Sequence, residues 1–224
     1  NGADITARDK YGYTALHMAS TAKRKNLGVV ILLLENDANI EIKDIKGYTP
    51  LDYAAGKEGD LGILKLLIEN GGDVNAKNNY NSKSPLHIAS YMGKPESVKL
   101  LLIYGADIDI KNKDGATPLH EALYGLYDDG EDLKFVKMEH LKVIKLLIKL
   151  GANIEARDIY GTTPLKIASA KGDESMKLLI KNAIKEKRQS SEKYQESREK
   201  IQESRKIRES RELRKSKKAQ GKKK

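Results

Sequence analysis

Five times along this chain one short phrase returns: TALHMAS from Thr14, TPLDYAA from Thr49, SPLHIAS from Ser84, TPLHEAL from Thr117 and TPLKIAS from Thr163. Aliphatic runs and variants of NGADIN follow the copies, whose successive starts lie 35, 35, 33 and 46 residues apart. A unit of about 33 residues at a fixed period is the mark of a tandem array, not of a closed globule. Such units bury their apolar faces on their neighbours and leave a long, variable surface exposed.

One unit can be read physically. In residues 44–77 (DIKGYTPLDYAAGKEGDLGILKLLIENGGDVNAK), Thr49 is placed to cap a helix and Pro50 occupies its first position, where the missing donor costs nothing. Ser84-Pro85, Thr117-Pro118 and Thr163-Pro164 repeat the pair, and Thr14-Ala15 departs from it. Leu51, Ala54 and Ala55 line a short first helix whose small residues let a neighbour approach. Leu64, Leu67 and Ile68 form the bulky face of a second helix over 61–70. Gly71, Gly105 and Gly151 end the second helices, and Asn36-Asp37 substitutes residues that tolerate the left-handed conformation. An extended segment, residues 73–77, then reads as half of a hairpin projecting from the helix pair.

TPLH, the paired small residues, the LLL run and G-A-D-x-N resemble ankyrin repeats over residues 1 to about 184. The resemblance implies an all-α repeat solenoid of helix-turn-helix units joined by β-hairpin loops. It also implies a concave face of hairpins and first helices, and a non-enzymatic role in binding a protein partner. The expected divisions are a remnant of a preceding repeat at 1–8 and five repeats at 9–43, 44–78, 79–111, 112–157 and 158–184. An insertion falls within 124–139, and a charged tail, helical or disordered, fills 185–224. Three departures stand out. The third turn, NNYNSKS, lacks the glycine of the others; about thirteen extra residues separate the helices of the fourth repeat; and Asp52 and Lys166 replace the histidine of TPLH, weakening the hydrogen bonding expected there.

Composition narrows the function. The longest aliphatic run is the six residues 29–34, far too short to span a bilayer, and the absence of cysteine removes thiolate sites and disulfides. The net charge is +10, yet residues 1–184 carry 25 basic and 25 acidic side chains, so the excess sits in the tail. No catalytic constellation and no cofactor site are present. His17, His87 and His120 share one repeat position and read as buried imidazoles, and His140 stands alone. Tyr124 occupies the place where an HExxH motif starting at His120 needs its second histidine. Asp128, Asp129, Glu131 and Asp132 around Gly130 lack the alternation of a calcium loop and read as an acidic surface loop.

Tyrosine is the more useful signal, with eleven copies against one Phe and no Trp. The contact positions implied by the resemblance, at the hairpin tips and just after the paired small residues, hold Tyr11, Tyr13, Tyr48, Tyr80, Tyr91, Tyr124 and Tyr160. Lys46, Met92, Lys113, Asp114 and Ile159 stand at comparable places. Tyrosine offers large contact area with a polar tip at low entropic cost. The expected partner is an unidentified protein bound by a monomer, and a host protein if the Lys-, Ile- and Asn-rich composition reflects the AT-rich genome of an intracellular bacterium or a large virus. An intracellular location is the expected one.

Residues 185–224 support an alternative. Their Lys and Arg suit nucleic acid, an anionic membrane or a basic sorting signal, with the repeats as spacer. No aromatic residue interleaves the terminal basic cluster to stack on bases. Tyr194, Ile201, Ile207 and Leu213 drift out of heptad register, so a frayed helix is expected there instead of a coiled coil.

Overall fold

The computed structural model describes residues 4–21, 26–56, 60–128, 133–195 and 202, with the backbone alone at 133–136. Two compact units emerge, Asn1–Ile180 and Lys181–Lys224. In the first, helices come in pairs: α1 (Ala15–Thr21) with α2 (Leu27–Glu35), α3 (Pro50–Ala55) with α4 (Leu61–Glu69), and α5 (Pro85–Tyr91) with α6 (Pro95–Ile103). Then follow α7 (Pro118–Asp128) with α8 (Leu133–Lys149), and α9 (Pro164–Ala170) with α10 (174–180). First helices pack in series, α1 on α3, α3 on α5, α5 on α7 and α7 on α9, while the second helices form a parallel row behind them. This is a helical repeat solenoid.

The core follows from the repeated phrase. Leu16, Leu51, Leu86 and Leu119 occupy one position in successive first helices, and all four are fully buried. Ala19, Ala54, Ala89 and Ala122 sit three residues on, also buried, where only a small side chain admits the adjacent helix. Val30, Leu64, Leu67, Leu101, Ile144 and Leu147 supply the apolar stripe of the second helices. Thr49 caps α3 in a capping box with Asp52, and Asp37 takes the left-handed conformation (φ 60°) that Gly71, Gly105 and Gly151 take at the ends of α4, α6 and α8.

Three connections carry detail beyond the repeat pattern. The joining loops do not form ladders: among the described residues no strand is assigned, and each projection is a closed turn, as where Asp44 N–H donates to the Tyr48 carbonyl at 3.0 Å. Neighbouring turns share one bond apiece, such as Ile45 N–H to the Tyr11 carbonyl and Tyr80 N–H to that of Lys46, both 3.1 Å. The glycine-free third turn stays closed by growing one residue, with Ser82 taking φ 54°. The insertion lengthens both helices of the fourth pair, to 11 residues in α7 and 17 in α8. Asp128 closes α7, while Asp129, Gly130, Glu131 and Asp132, and with them most of the expected acidic loop, lie outside the described residues.

His140 is not alone either. Carried on the lengthened α8, it is buried, and its Nε2 donates to the Tyr91 carbonyl at 2.8 Å. The approach depends on Gly125, where a Cβ would lie 1.9 Å from the Tyr91 carbonyl oxygen.

A second set of polar links runs along the stack. Arg8 donates to the Lys43 carbonyl, Lys43 to that of Lys77, Lys77 to that of Lys111 and Lys111 to that of Arg157, over 2.7–3.4 Å. In the second unit, residues 181–195 are helical with exposed side chains over 185–195. Among the described residues no helix is long and apolar enough to cross a membrane.

Two outcomes follow for stability. Gly125→Ala, whose new methyl meets a backbone oxygen, should lower stability by about 3 kcal/mol or more in urea unfolding. Gly71→Ala, with open space but φ 97°, should cost only about 1 kcal/mol. Because Leu27, Val29, Ile31 and Leu32 leave an apolar face of α2 exposed, amides of α1 and α2 should exchange faster than those of α5 and α6. Equal protection factors would contradict it.

Candidate functional site

The geometry of the first-helix face is set by the histidine joints. In the first pair, Thr14 N–H donates to His17 Nδ1 at 3.2 Å, while Nε2 lies 3.1 Å from the Tyr48 carbonyl of the next unit. A backbone N–H can only donate and a carbonyl can only accept, so the ring is neutral with its proton on Nε2. His87 repeats this between Ser84 and the Ala116 carbonyl (3.0 Å), and His120 between Thr117 and the Thr162 carbonyl (3.2 Å). Burial lowers the pKa of all three and brings His87 down to about 4.

The second joint differs. Asp52 Oδ2 accepts from Thr49 N–H at 2.9 Å and from the Thr49 hydroxyl at 3.1 Å, so the local cap survives the loss of histidine. Lys166 in the last unit likewise keeps its cap, through its own N–H to Thr163 Oγ1. What Asp52 cannot supply is the reach to the next unit: its Oδ1 is buried without a partner. The side chain is 2% exposed, and burial raises its pKa to about 7. Two further buried polar atoms lack partners, Asn78 Nδ2 at the end of the same unit and Ser90 Oγ in the next.

At this joint a pocket of about 390 Å³ opens between α3 and α5. Tyr48, Tyr53 and Tyr91 wall it, Ile88 and Met92 add aliphatic surface, and Asp52, Lys83, Thr21 and Gly56 complete the lining. The tyrosines are held in place. Tyr53 packs edge-on to Tyr13 (centroids 5.7 Å) and tilted against Tyr48 (5.8 Å), and its hydroxyl donates to Asp44 Oδ2 at 2.6 Å. The Tyr91 hydroxyl donates to Asp128 Oδ2. Lys83 Nζ lies 2.8 Å from Glu121 Oε2 and 4.9 Å over the Tyr91 ring.

The residues singled out from the sequence therefore fall into groups. Tyr48, Tyr91 and Met92 line the pocket; Tyr13 joins through Tyr53, and Tyr11 stacks beside Tyr13 at 6.0 Å. Tyr80 and Lys113 form a separate pair at the third and fourth turns, with Lys113 Nζ 5.2 Å over the ring. Lys46 is exposed at its turn tip, and Asp114 is half-buried with its carbonyl bonded to Ile159 N–H at 2.9 Å. Ile159 and Tyr160 stand exposed at the last turn, while Tyr124 bonds Asp158 at 3.4 Å and burial pushes its hydroxyl up to about 12. Sequence reading missed Asp52 as a pocket residue, along with Tyr53, Lys83 and Ile88. The available signal was position: Tyr53, Ile88 and Glu121 follow the capping residue of TPLH in successive units and differ each time.

A family model described as ankyrin repeats (3 copies) matches residues 1–78 and 54–130, and one described as ankyrin repeats (many copies) matches 133–179. No curated protein matches the chain.

The joint chemistry makes a pH prediction. Asp52 holds its proton more tightly folded than unfolded, so its contribution is full below the ordinary 3.8 and lost as pH rises through about 7. His87 acts oppositely, stabilising above 6.5 and losing that as pH falls toward 4. The native chain should therefore lose stability relative to Asp52→Asn from pH 5 to pH 7, by up to about 1.4 kcal/mol per unit. A constant difference in urea midpoints would contradict it.

Proposed function

Since the chain belongs to the ankyrin-repeat family, whose repeats generally mediate protein–protein interaction, we propose that it binds a protein partner on the face built by its turn tips and first helices. The observation that carries this reading is the concentration of tyrosines there. Tyr80, Tyr124 and Tyr160 are exposed on that face, and Tyr48, Tyr53 and Tyr91 surround a pocket within it. Tyr48, Tyr53 and Tyr91 are fixed by ring contacts and carboxylate bonds, so they have little entropy left to lose on binding. Aromatic anchors in preformed pockets dominate protein interfaces. The site residues in this reading are Tyr11, Tyr13, Lys46, Tyr48, Tyr80, Tyr91, Met92, Lys113, Asp114, Tyr124, Ile159 and Tyr160, on a monomeric, non-catalytic scaffold divided as the sequence period suggests.

The test compares three proteins in pull-downs followed by affinity measurement on the captured partner: the native chain, a Tyr48, Tyr80, Tyr91 and Tyr124 to alanine variant, and a chain lacking residues 185–224. Binding should fall at least about tenfold in the tyrosine variant and persist without the terminal segment. Binding that follows residues 185–224 and disappears at moderate salt would replace this reading with the anionic-surface one.

A further inference from the structure

The insertion in the fourth unit builds a surface from residues without counterparts in the other units. Helices α2, α4 and α6 are nine residues long, and each begins ten residues before the left-handed residue that stops it, Asp37, Gly71 or Gly105. Helix α8 is 17 residues long, so its turns before Leu141 are additions. Helix α7 is extended likewise, to 11 residues where the other first helices have six or seven. Leu126 and Lys137 stand on these added turns. With Leu141 and Lys145 of α8 and Met176 and Leu179 of α10 they line a slot of about 300 Å³, separate from the turn-tip face.

The slot is apolar inside and positive at its rim. Leu126 and Met176 are buried, and Leu141 and Leu179 are half-buried. Lys137, Leu141 and Lys145 recur every four residues and so share one face of α8, with the lysines about 12 Å apart along the helix. Both lysines are exposed, their stems lining the slot and their ammonium groups in water. Among the described residues neither stands in an ion pair, whereas charges close by are matched, Glu139 with Lys142 at 2.6 Å and Glu174 with Lys177 at 2.9 Å. Asp173, the acid in the lining, already accepts from Met176 N–H at 2.9 Å and from the Tyr127 hydroxyl at 3.3 Å. Lys171, 5.8 Å over the Tyr127 ring, adds a third cation beside it. The balance at the slot is positive, and the occupant it favours is apolar in the middle and negative at both ends.

We propose that this slot docks a helical segment of a protein partner carrying a leucine with a carboxylate four residues to either side. The leucine enters between Leu141 and Met176, and the two acids fall opposite Lys137 and Lys145. A helix laid along α8 repeats that spacing residue for residue. The apolar anchor supplies most of the affinity, and the exposed charge pairs, each worth little alone, supply the selectivity. This site stands independently of the turn-tip face, so either can fail without the other.

The experiment uses the full chain with labelled methionine methyls, of which Met176 reports on the slot, Met92 on the tyrosine pocket and Met18 on α1. It is titrated at millimolar concentrations with a capped, alanine-rich helical peptide presenting Glu, Leu and Glu at four-residue intervals. Two control peptides carry Gln for both Glu, or Ala for Leu. Expected are a saturable shift of Met176 with Met92 and Met18 unmoved, about fivefold weaker binding of the Gln peptide, and no saturable binding of the Ala peptide. Lys137→Gln combined with Lys145→Gln, both at exposed positions, should erase the preference for Glu over Gln while Met18 and Met92 keep their native shifts. Salt at about 0.5 M should erase it too. Equal binding of the Glu peptide and either control, a preference that survives the double substitution, or a shift at Met92 in place of Met176 overturns the assignment. So does the absence of a saturable shift, the result if Asp129, Glu131 and Asp132, outside the described residues, already neutralise these lysines. Phosphatidylserine vesicles that move Met176 where the peptide does not would assign the slot to a lipid surface instead.

Discussion

A neutral imidazole with its proton on Nε2 ties each unit to the next in three joints of this stack. One ring does two tasks that are usually separate: Nδ1 closes the N-terminus of its own helix, and Nε2 reaches the carbonyl that precedes the next helix. Leu51, Leu86 and Leu119 are buried in the first helices of successive units. Protonation of the ring would turn Nδ1 into a donor facing another donor, which is why burial and function agree in keeping these histidines neutral. Where Asp52 stands instead, the first task is done and the second is not. The pocket walled by Tyr48, Tyr53 and Tyr91 lies at that joint.

The repeat scaffold was largely legible in the sequence because it rests on local chemistry. Thr-Pro and Ser-Pro start the first helices, glycine or Asp37 stops the second ones, and the Leu and Ala positions recur at the same offsets. The parts that were not legible depend on contacts between distant residues. His140 lies 49 residues from the Tyr91 carbonyl it binds, and no local pattern connects them. The extra residues of the fourth repeat suggested a loop, since charge and glycine break the helical pattern there, yet the residues on either side extended the two helices and brought Gly125 against α5. Successive turns are joined by single main-chain bonds because each turn closes on itself through its own aspartate or asparagine, leaving one donor and one acceptor per turn for the neighbour.

The face of turn tips and first helices shows how a scaffold built from main-chain bonds releases its side chains. At the tips the backbone of Asp44, Asn78, Asn112 and Asp158 holds the turn, so Lys46, Tyr80, Asp114 and Tyr160 are free to differ. Tyrosine stood out in the sequence as a candidate contact residue through its abundance and its repeat positions, but its surroundings were not legible there. Only the structure pairs Tyr53 with Asp44 and Tyr91 with Asp128, and only these pairs make the rings rigid walls instead of mobile surface.

The row of basic side chains from Arg8 to Lys111 binds main-chain carbonyls, a group every residue possesses. No unit therefore has to match the side chains of the one after it in order to be gripped. A unit copied, deleted or exchanged within the gene would still find its anchor, so the length of such an array can drift over generations while the grip between neighbours stays the same.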